Sequence, residues 1–117
     1  MRVPLPWPPR ALSPNARTHW GTKARAVNRY RADCRYAAKA MGLRPVKADA
    51  LRVHLTFHPP NGNRRDDDNL IASVKPGLDG LADVLGVDDG LWTLSHARGE
   101  PRKGGAVIVE IETGGAG

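Results

Sequence analysis

The chain has 117 residues, with 18 Lys and Arg against 12 Asp and Glu and a formal net charge of +6. That length allows one small domain with one core, and 40% hydrophobic with 26% charged residues excludes intrinsic disorder for its body. The single cysteine, Cys34, excludes an internal disulfide and suits a reducing cytosol, and no apolar run is long enough for a membrane span. The opening "MRVPLPWPPR" carries no signal-peptide pattern, so the expected compartment is the cytoplasm. An excess of positive charge on a small domain makes nucleic acid a candidate partner.

"RVPLPWPPRALSPN" alternates Val3, Leu5 and Trp7 with prolines, which cannot donate to a ladder; this predicts a short edge strand leading into a loop. From about Thr22 to Met41, Val27, Tyr30, Cys34, Ala37, Ala38 and Met41 follow helical spacing and make one apolar face. Arg25, Arg29, Arg31, Arg35 and Lys39 take the other side, and Gly42 is a stop signal. "ALRVHLTFH" alternates as a half-buried strand, ended by the turn-rich "PPNGNRR". A second helix is expected over Asn69–Leu85, then strands in "LWTLSHA" and "AVIVEIE" joined by "RGEPRKGG" as a hairpin. The expected fold is α/β of the α+β kind: a small mixed sheet with two helices packed on it, in the order β-α-β-α-β-β. One domain spans residues 1–112, and a flexible tail takes residues 113–117.

Asp66, Asp67 and Asp68 stand together before the second helix, and Asp88 and Asp89 follow it. Adjacent like charges repel, so such a cluster calls for a cation. One aspartate is explained by capping and the helix dipole; three followed by a pair exceed that need. At about 100° per residue, Leu70, Ile71, Val74, Leu78, Leu81 and Leu85 share one stripe, with Asp68, Lys75 and Asp79 opposite. Asp66 and Asp68 are expected in an extended lead-in, their side chains pointing the same way and Asp67 elsewhere. Carboxylate oxygens suit a hard cation such as Mg²⁺; the spacing lacks the glycine and glutamate of an EF-hand, and no Cys/His pattern suggests zinc. In a basic protein this combination points to metal-assisted chemistry on a phosphodiester, with Lys75 offsetting phosphate charge or simply bridging to Asp79.

"RRDDDNLIASVKPGLDGL…GVDDG" resembles the RusA family of Holliday junction resolvases, in the residues Arg64-Arg65, Asp66-Asp67-Asp68-Asn69, Lys75, Asp79-Gly80-Leu81 and Asp88-Asp89. "LPWPP" near the start and "KGGAVIVEIE" near the end are similar to the family's flanking strands, so the likeness spans nearly the full chain. The resemblance implies a homodimer that nicks a four-way DNA junction symmetrically with Mg²⁺ or Mn²⁺; a nuclease that prefers another branched DNA, such as a flap or fork, is a separate reading. It implies no membrane and no small-molecule cofactor. It implies Asp66, Asp68 and Asp89 as metal ligands with Asp88 beside them, and Lys75 as a catalytic residue. Asp79 and Asn69 come in a second tier. Asn69 and Lys75 are separated by "LIASV", three residues longer than the family prototype, which moves Lys75 about 4.5 Å along the axis. Arg64, Arg65, Arg25 and Arg29 are the candidates for DNA phosphates. The rival reading is a basic DNA-binding module whose aspartates only cap and bridge.

His54 and His58 share the polar side of a strand, but no third ligand joins them, and His19 and His96 are scattered; all four read as surface residues. Trp7, Trp20 and Trp92 read as core or interface anchors and Cys34 as buried packing.

Overall fold

The computed structural model describes residues 1–113. Its elements are β1 (Arg2–Pro6), a 3₁₀ turn (Arg10–Leu12), α1 (Trp20–Ala40), β2 (Leu51–His58), α2 (Asp67–Leu85), a second 3₁₀ turn (Asp89–Leu91), β3 (Trp92–Arg98) and β4 (Ala106–Thr113). The order of strands and long helices is the expected β-α-β-α-β-β, and the fold is a four-stranded mixed sheet with two helices. Thr113 ends β4 opposite Leu51, so the strand takes the first residue assigned to the tail. Residues 114–117 lie outside the described residues.

The strands lie in the order β1-β4-β2-β3. β4 is antiparallel to both β1 and β2, while β3 runs parallel to β2, with α2 as the crossover. The expected β3–β4 hairpin is therefore replaced by two separate pairings. β4 carries the buried run Val107, Ile108 and Val109, which belongs between neighbours, whereas every residue of β3 after Trp92 is exposed. The segment 99–105 is long enough to pass the end of β2, and it is tied there by hydrogen bonds from Gly99 N–H to Phe57 O (2.9 Å) and Arg102 N–H to Pro59 O (2.8 Å). At its close Gly105 has φ +71°, and its Cα lies under the Trp7 ring, so close that a Cβ would come within 2.8 Å. Only glycine meets both demands.

Leu51, Val53, Leu55 and Phe57 of β2 join Val107, Val109 and Ile111 of β4, Val3 and Leu5 of β1, and the apolar faces of both helices in one core. The intervening β2 and β4 positions Arg52, His54, Glu110 and Glu112 are exposed or half-buried. Alternation thus turns one sheet face to the helices and the other mainly to polar residues. Tyr30 and Cys34 of α1 are buried, and the Tyr30 hydroxyl donates to Pro6 O at 2.7 Å, fastening α1 to β1. Burial pushes the Cys34 thiol up to about 12 and raises Tyr30 well beyond the usual phenol range. Trp7 packs edge-on to Phe57, with ring centroids 6.3 Å apart. Trp20 is 79% exposed at the start of α1, and Met41 lies outside the expected apolar face at 57%.

Candidate active site at the head and solvent face of α2

After β2 the chain must reverse and start a helix. Arg65 organises that turn: its guanidinium donates to Asn61 O (3.1 Å), Asn63 O (2.9 Å) and Asn61 Oδ1 (2.9 Å). It also lies 5.7 Å from the Trp7 ring centroid. Of the two arginines before the aspartates, Arg65 is engaged with its own loop, and Arg64 is the exposed one. Asp66 is extended (φ −85°, ψ 132°) and caps α2, its Oδ1 accepting from Asp68 N–H at 2.9 Å. The helix thus begins at Asp67, two residues earlier than expected, and Asp68 lies in its first turn rather than in an extended lead-in. Asp67 turns to β3, where Arg98 Nε donates to it at 2.5 Å and His96 Nε2 lies 3.7 Å away. Arg98 also donates to the Arg65 carbonyl, which joins the helix head to the sheet edge.

Two turns on, Lys75 Nζ bridges Asp79 Oδ1 at 2.7 Å and also donates to Asp89. Asp89 arrives from outside the helix. The αL residue Gly86 ends α2, Val87 is buried, and Asp88 caps the following 3₁₀ turn by accepting from Gly90 N–H at 2.9 Å. The Trp92 indole donates to Val87 O at 3.2 Å and fixes the same turn. Burial lowers the Lys75 ammonium, but its bonds to Asp79 and Asp89 outweigh that and hold it above its ordinary range. The Lys75 bond holds the Asp89 carboxyl below the usual carboxylate range, against a smaller opposing effect of burial.

Asp68, Ala72, Lys75 and Asp79 therefore follow one another along the exposed side of α2, with about 10.5 Å of axial rise from Asp68 to Lys75. Ala72 is exposed and small, so a shallow open strip separates the two charged ends. Beside the head lies a cleft of about 810 Å³ between the β1–α1 loop and the β2–α2 loop, lined among others by Trp7, Arg10, Asn15, Arg64, Asp66 and Asn69. The Asn69 carbonyl accepts the hydroxyl of the buried Ser73 at 2.7 Å, at the base of this cleft.

Arg25 and Arg29 are exposed on α1, Arg25 within 3.3 Å of Thr22 Oγ1. Arg31 and Arg35, which sequence places on the same solvated face, instead hold Asp83 of α2 at 2.8 and 3.4 Å. The Arg31 bond holds the Asp83 carboxyl below the usual carboxylate range. His54 Nδ1 meets Ser95 Oγ at 2.7 Å and His58 Nδ1 meets Glu100 O at 2.8 Å, so the two histidines make separate contacts along the strand. His19 caps α1, accepting from Gly21 N–H at 3.1 Å. Arg98, Ala72 and the asparagine-lined cleft were not found from sequence; Arg98 lies 31 residues from its partner Asp67, beyond any local spacing rule.

Among the described residues no three His, Cys, Asp or Glu side chains converge on one metal position. The donor types are those a hard divalent cation takes: Asp66 and Asp68 are exposed carboxylates at the head of α2, one Asp66 oxygen accepting from the Asp68 backbone N–H, and Asp89 is paired with the cation Lys75 further along the helix.

No family model matches the chain. It is 40% identical over 113 residues to an uncharacterized protein of Xylella fastidiosa (strain Temecula1), across 92% of this chain and 72% of that protein. The two belong to one family.

Proposed function

We propose that this chain, a member of one family with the Xylella fastidiosa protein, is a metal-dependent endonuclease of RusA type that cuts branched DNA in the cytoplasm, the four-way junction foremost. The observation that carries the reading is the return of Asp89 onto the face of α2 that bears Asp68, Lys75 and Asp79. A binding module needs its aspartates only as caps and bridges. Here Asp66 and Asp88 serve as caps and Asp89 bridges to Lys75, while Asp68, which makes no ion pair among the described residues, adds an exposed carboxylate to the same strip.

Asp66 and Asp68 would hold a Mg²⁺ or Mn²⁺ ion at the head of α2, with Asp89 a further carboxylate on the same side of the helix beside Lys75; when bound, the ion supplies an activated water and polarises the phosphoryl oxygens. Arg64 at the cleft rim takes an adjacent phosphate. The Lys75 ammonium, held by Asp79 and Asp89, lies further along the same strip, where it would offset phosphate charge. Arg25 and Arg29 extend the positive surface toward a DNA arm.

A second copy of the chain completes the reading, because a two-fold junction calls for two equivalent sites. Among the described residues the outer edge of β3 is unpaired, with Leu94 exposed (41%) and Leu91 just before the strand exposed too (53%), whereas β1 at the other edge is only five residues long and carries Pro4 and Pro6.

The test uses an immobile four-way junction and a matched linear duplex, each with Mg²⁺, with Mn²⁺ and with EDTA, with Asp68→Asn in parallel. The expected result is paired nicks across the junction with wild type and metal alone. Tight binding with no cutting under either metal overturns the nuclease. A monomer that cuts at full rate removes the dimer, and equal cutting of the duplex removes junction selectivity.

A further inference from the structure

The chain carries no Asp or Glu before Asp33, and over that stretch it exposes Arg10, Arg17, Lys23, Arg25 and Arg29. Among them stands Trp20, the first residue of α1. Trp7 and Trp92 pack against the core, whereas the Trp20 indole is 79% exposed. Its surroundings hold it in place. His19 Nδ1 accepts from Gly21 N–H at 3.1 Å, which fixes the imidazole as the cap of α1, and the indole lies beside that ring with centroids 5.5 Å apart and planes tilted by 33°. A Cβ on Gly21 would lie 3.3 Å from His19 Nδ1 and 3.7 Å from Arg25 Nη1, so the bare backbone there lets the imidazole and the guanidinium close in around it. An indole in water is unfavourable, and cations without acids among them repel one another. A nucleic-acid strand relieves both, since its phosphates meet the cations and the face of an unpaired base meets the indole. A membrane surface would call for several apolar side chains together. Trp20 instead has Arg17, Thr18, Thr22 and Lys23 for neighbours in the chain, and the other exposed aromatic of α1, Tyr36, is about 24 Å further along the axis. The patch is also continuous with the proposed site. A groove beside it is lined by Arg10, Ser13, Asn15, Arg17, Thr18 and Thr22, and the first three of these also line the cleft that contains Arg64 and Asp66.

We propose that Trp20 is a stacking platform for an unpaired base of single-stranded or branched DNA, at the end of a cationic groove that leads away from the carboxylates at the head of α2. The platform gives the nuclease reading a grip on unpaired strand and rests on that reading for its purpose, while the binding itself stands on the patch alone. A base inside a duplex is already stacked on both faces, so the platform favours strands that end, branch or gape over a continuous duplex.

The experiment reads binding in EDTA, where nothing is cut. Wild type, Trp20→Ala and Trp20→Phe are titrated with a short oligothymidylate, with a strand of equal length whose sugars carry no bases, and with a duplex of that length, by the anisotropy of a dye on the DNA. Wild type is expected to bind oligothymidylate about fivefold or more tighter than the base-free strand. Trp20→Ala is expected to lose about tenfold on oligothymidylate and nothing on the other two, with its far-UV dichroism unchanged because the side chain is exposed. Trp20→Phe restores a ring and is expected to recover most of that loss. No loss in Trp20→Ala, or an equal loss on oligothymidylate and the base-free strand, overturns the proposal. Vesicles of anionic phospholipid are the last probe: a blue shift of tryptophan emission that Trp20→Ala abolishes, with no dependence of DNA binding on Trp20, assigns the patch to a membrane surface and overturns it as well. No step needs a metal, so a protein that fails to cut a junction loses the nuclease reading while these titrations still decide the platform.

Discussion

On the side of α2 turned to α1, Gly77 and Gly80 leave no room for a side chain: a Cβ on Gly80 would lie 2.5 Å from the Arg31 carbonyl oxygen, and one on Gly77 2.8 Å from Cys34 Sγ and Tyr30 Cε2. On the side turned to solvent, Asp68, Lys75 and Asp79 stand with only Ala72 among them, and Asp89 is brought in from the next turn. One helix thus carries a face fitted to a neighbour at atomic tolerance and a face of charges held apart for other partners. Lys75-Pro76-Gly77 runs across that boundary, and Pro76 removes one backbone donor from the middle of the helix. The fitted face anchors the helix, and the charged face is left to the solvent. The two also use aspartate differently: Asp83 is clamped by Arg31 and Arg35 across the helix seam, while Asp89 has one exposed ammonium as its counterion.

Filling the fitted face is expected to do most damage. Gly80→Val sets a branched side chain against α1 backbone, which cannot rotate away, and is expected to lose about 3 kcal/mol or more of stability in urea unfolding. Stability within about 0.5 kcal/mol of wild type would mean the helices separate easily and the contrast between faces is false. On the charged face, Asp89→Asn is expected to lower metal-dependent cutting about 100-fold or more with the fold intact, read as initial rate together with far-UV dichroism. Asp83→Asn is its control, with a small loss of stability and an unchanged rate; equal rate losses in both would erase the distinction between clamp and site.

Asp68→Asn gives a third, thermal reading. Without metal the variant is expected to be as stable as wild type or slightly more so, because one like charge leaves the head of α2. Divalent ions should raise the melting temperature of wild type and not of the variant. An equal metal response in both removes Asp68 as a ligand.

The smallest effect is in pH. Asp89 has its folded-state pKa lowered, so its contribution to stability is complete above the ordinary carboxylate range and is lost as pH falls through the lowered value. Lys75 is raised, so its contribution is complete below the ordinary lysine range and is lost as pH rises through the raised value. The bridge is thus intact at neutral pH. Both partners are partly exposed, and its removal in Lys75→Met should cost at most about 1 kcal/mol at pH 7. The difference from wild type should shrink in acid, as measured by urea unfolding at stepped pH.

Periodicity was enough to place the two long helices, the alternation of β2 and the separation of core and charged stripes on α2, because each depends on residues a few positions apart. Capping chemistry marked the aspartates at the head of α2, although the helix took in Asp67 and Asp68 where an extended lead-in was expected; the Asp66 side chain replaces the missing bond to Asp68 N–H and lets the helix start early. What no local rule could supply was the partner of β3. A polar strand and a strongly apolar one joined by a glycine-containing turn read as a hairpin, and the core decided otherwise: the apolar β4 gained two neighbours by entering between β1 and β2, which left β3 at the edge. Arg31 and Arg35 were turned from a solvated face into a clamp on Asp83 for the same reason, since only the packing of α1 on α2 brings them together. The residue types for the proposed chemistry were written in the sequence. Their meeting, above all that of Asp89 with Lys75, was decided by tertiary structure, because contacts between residues far apart in the chain form only where burial of the core brings their elements together.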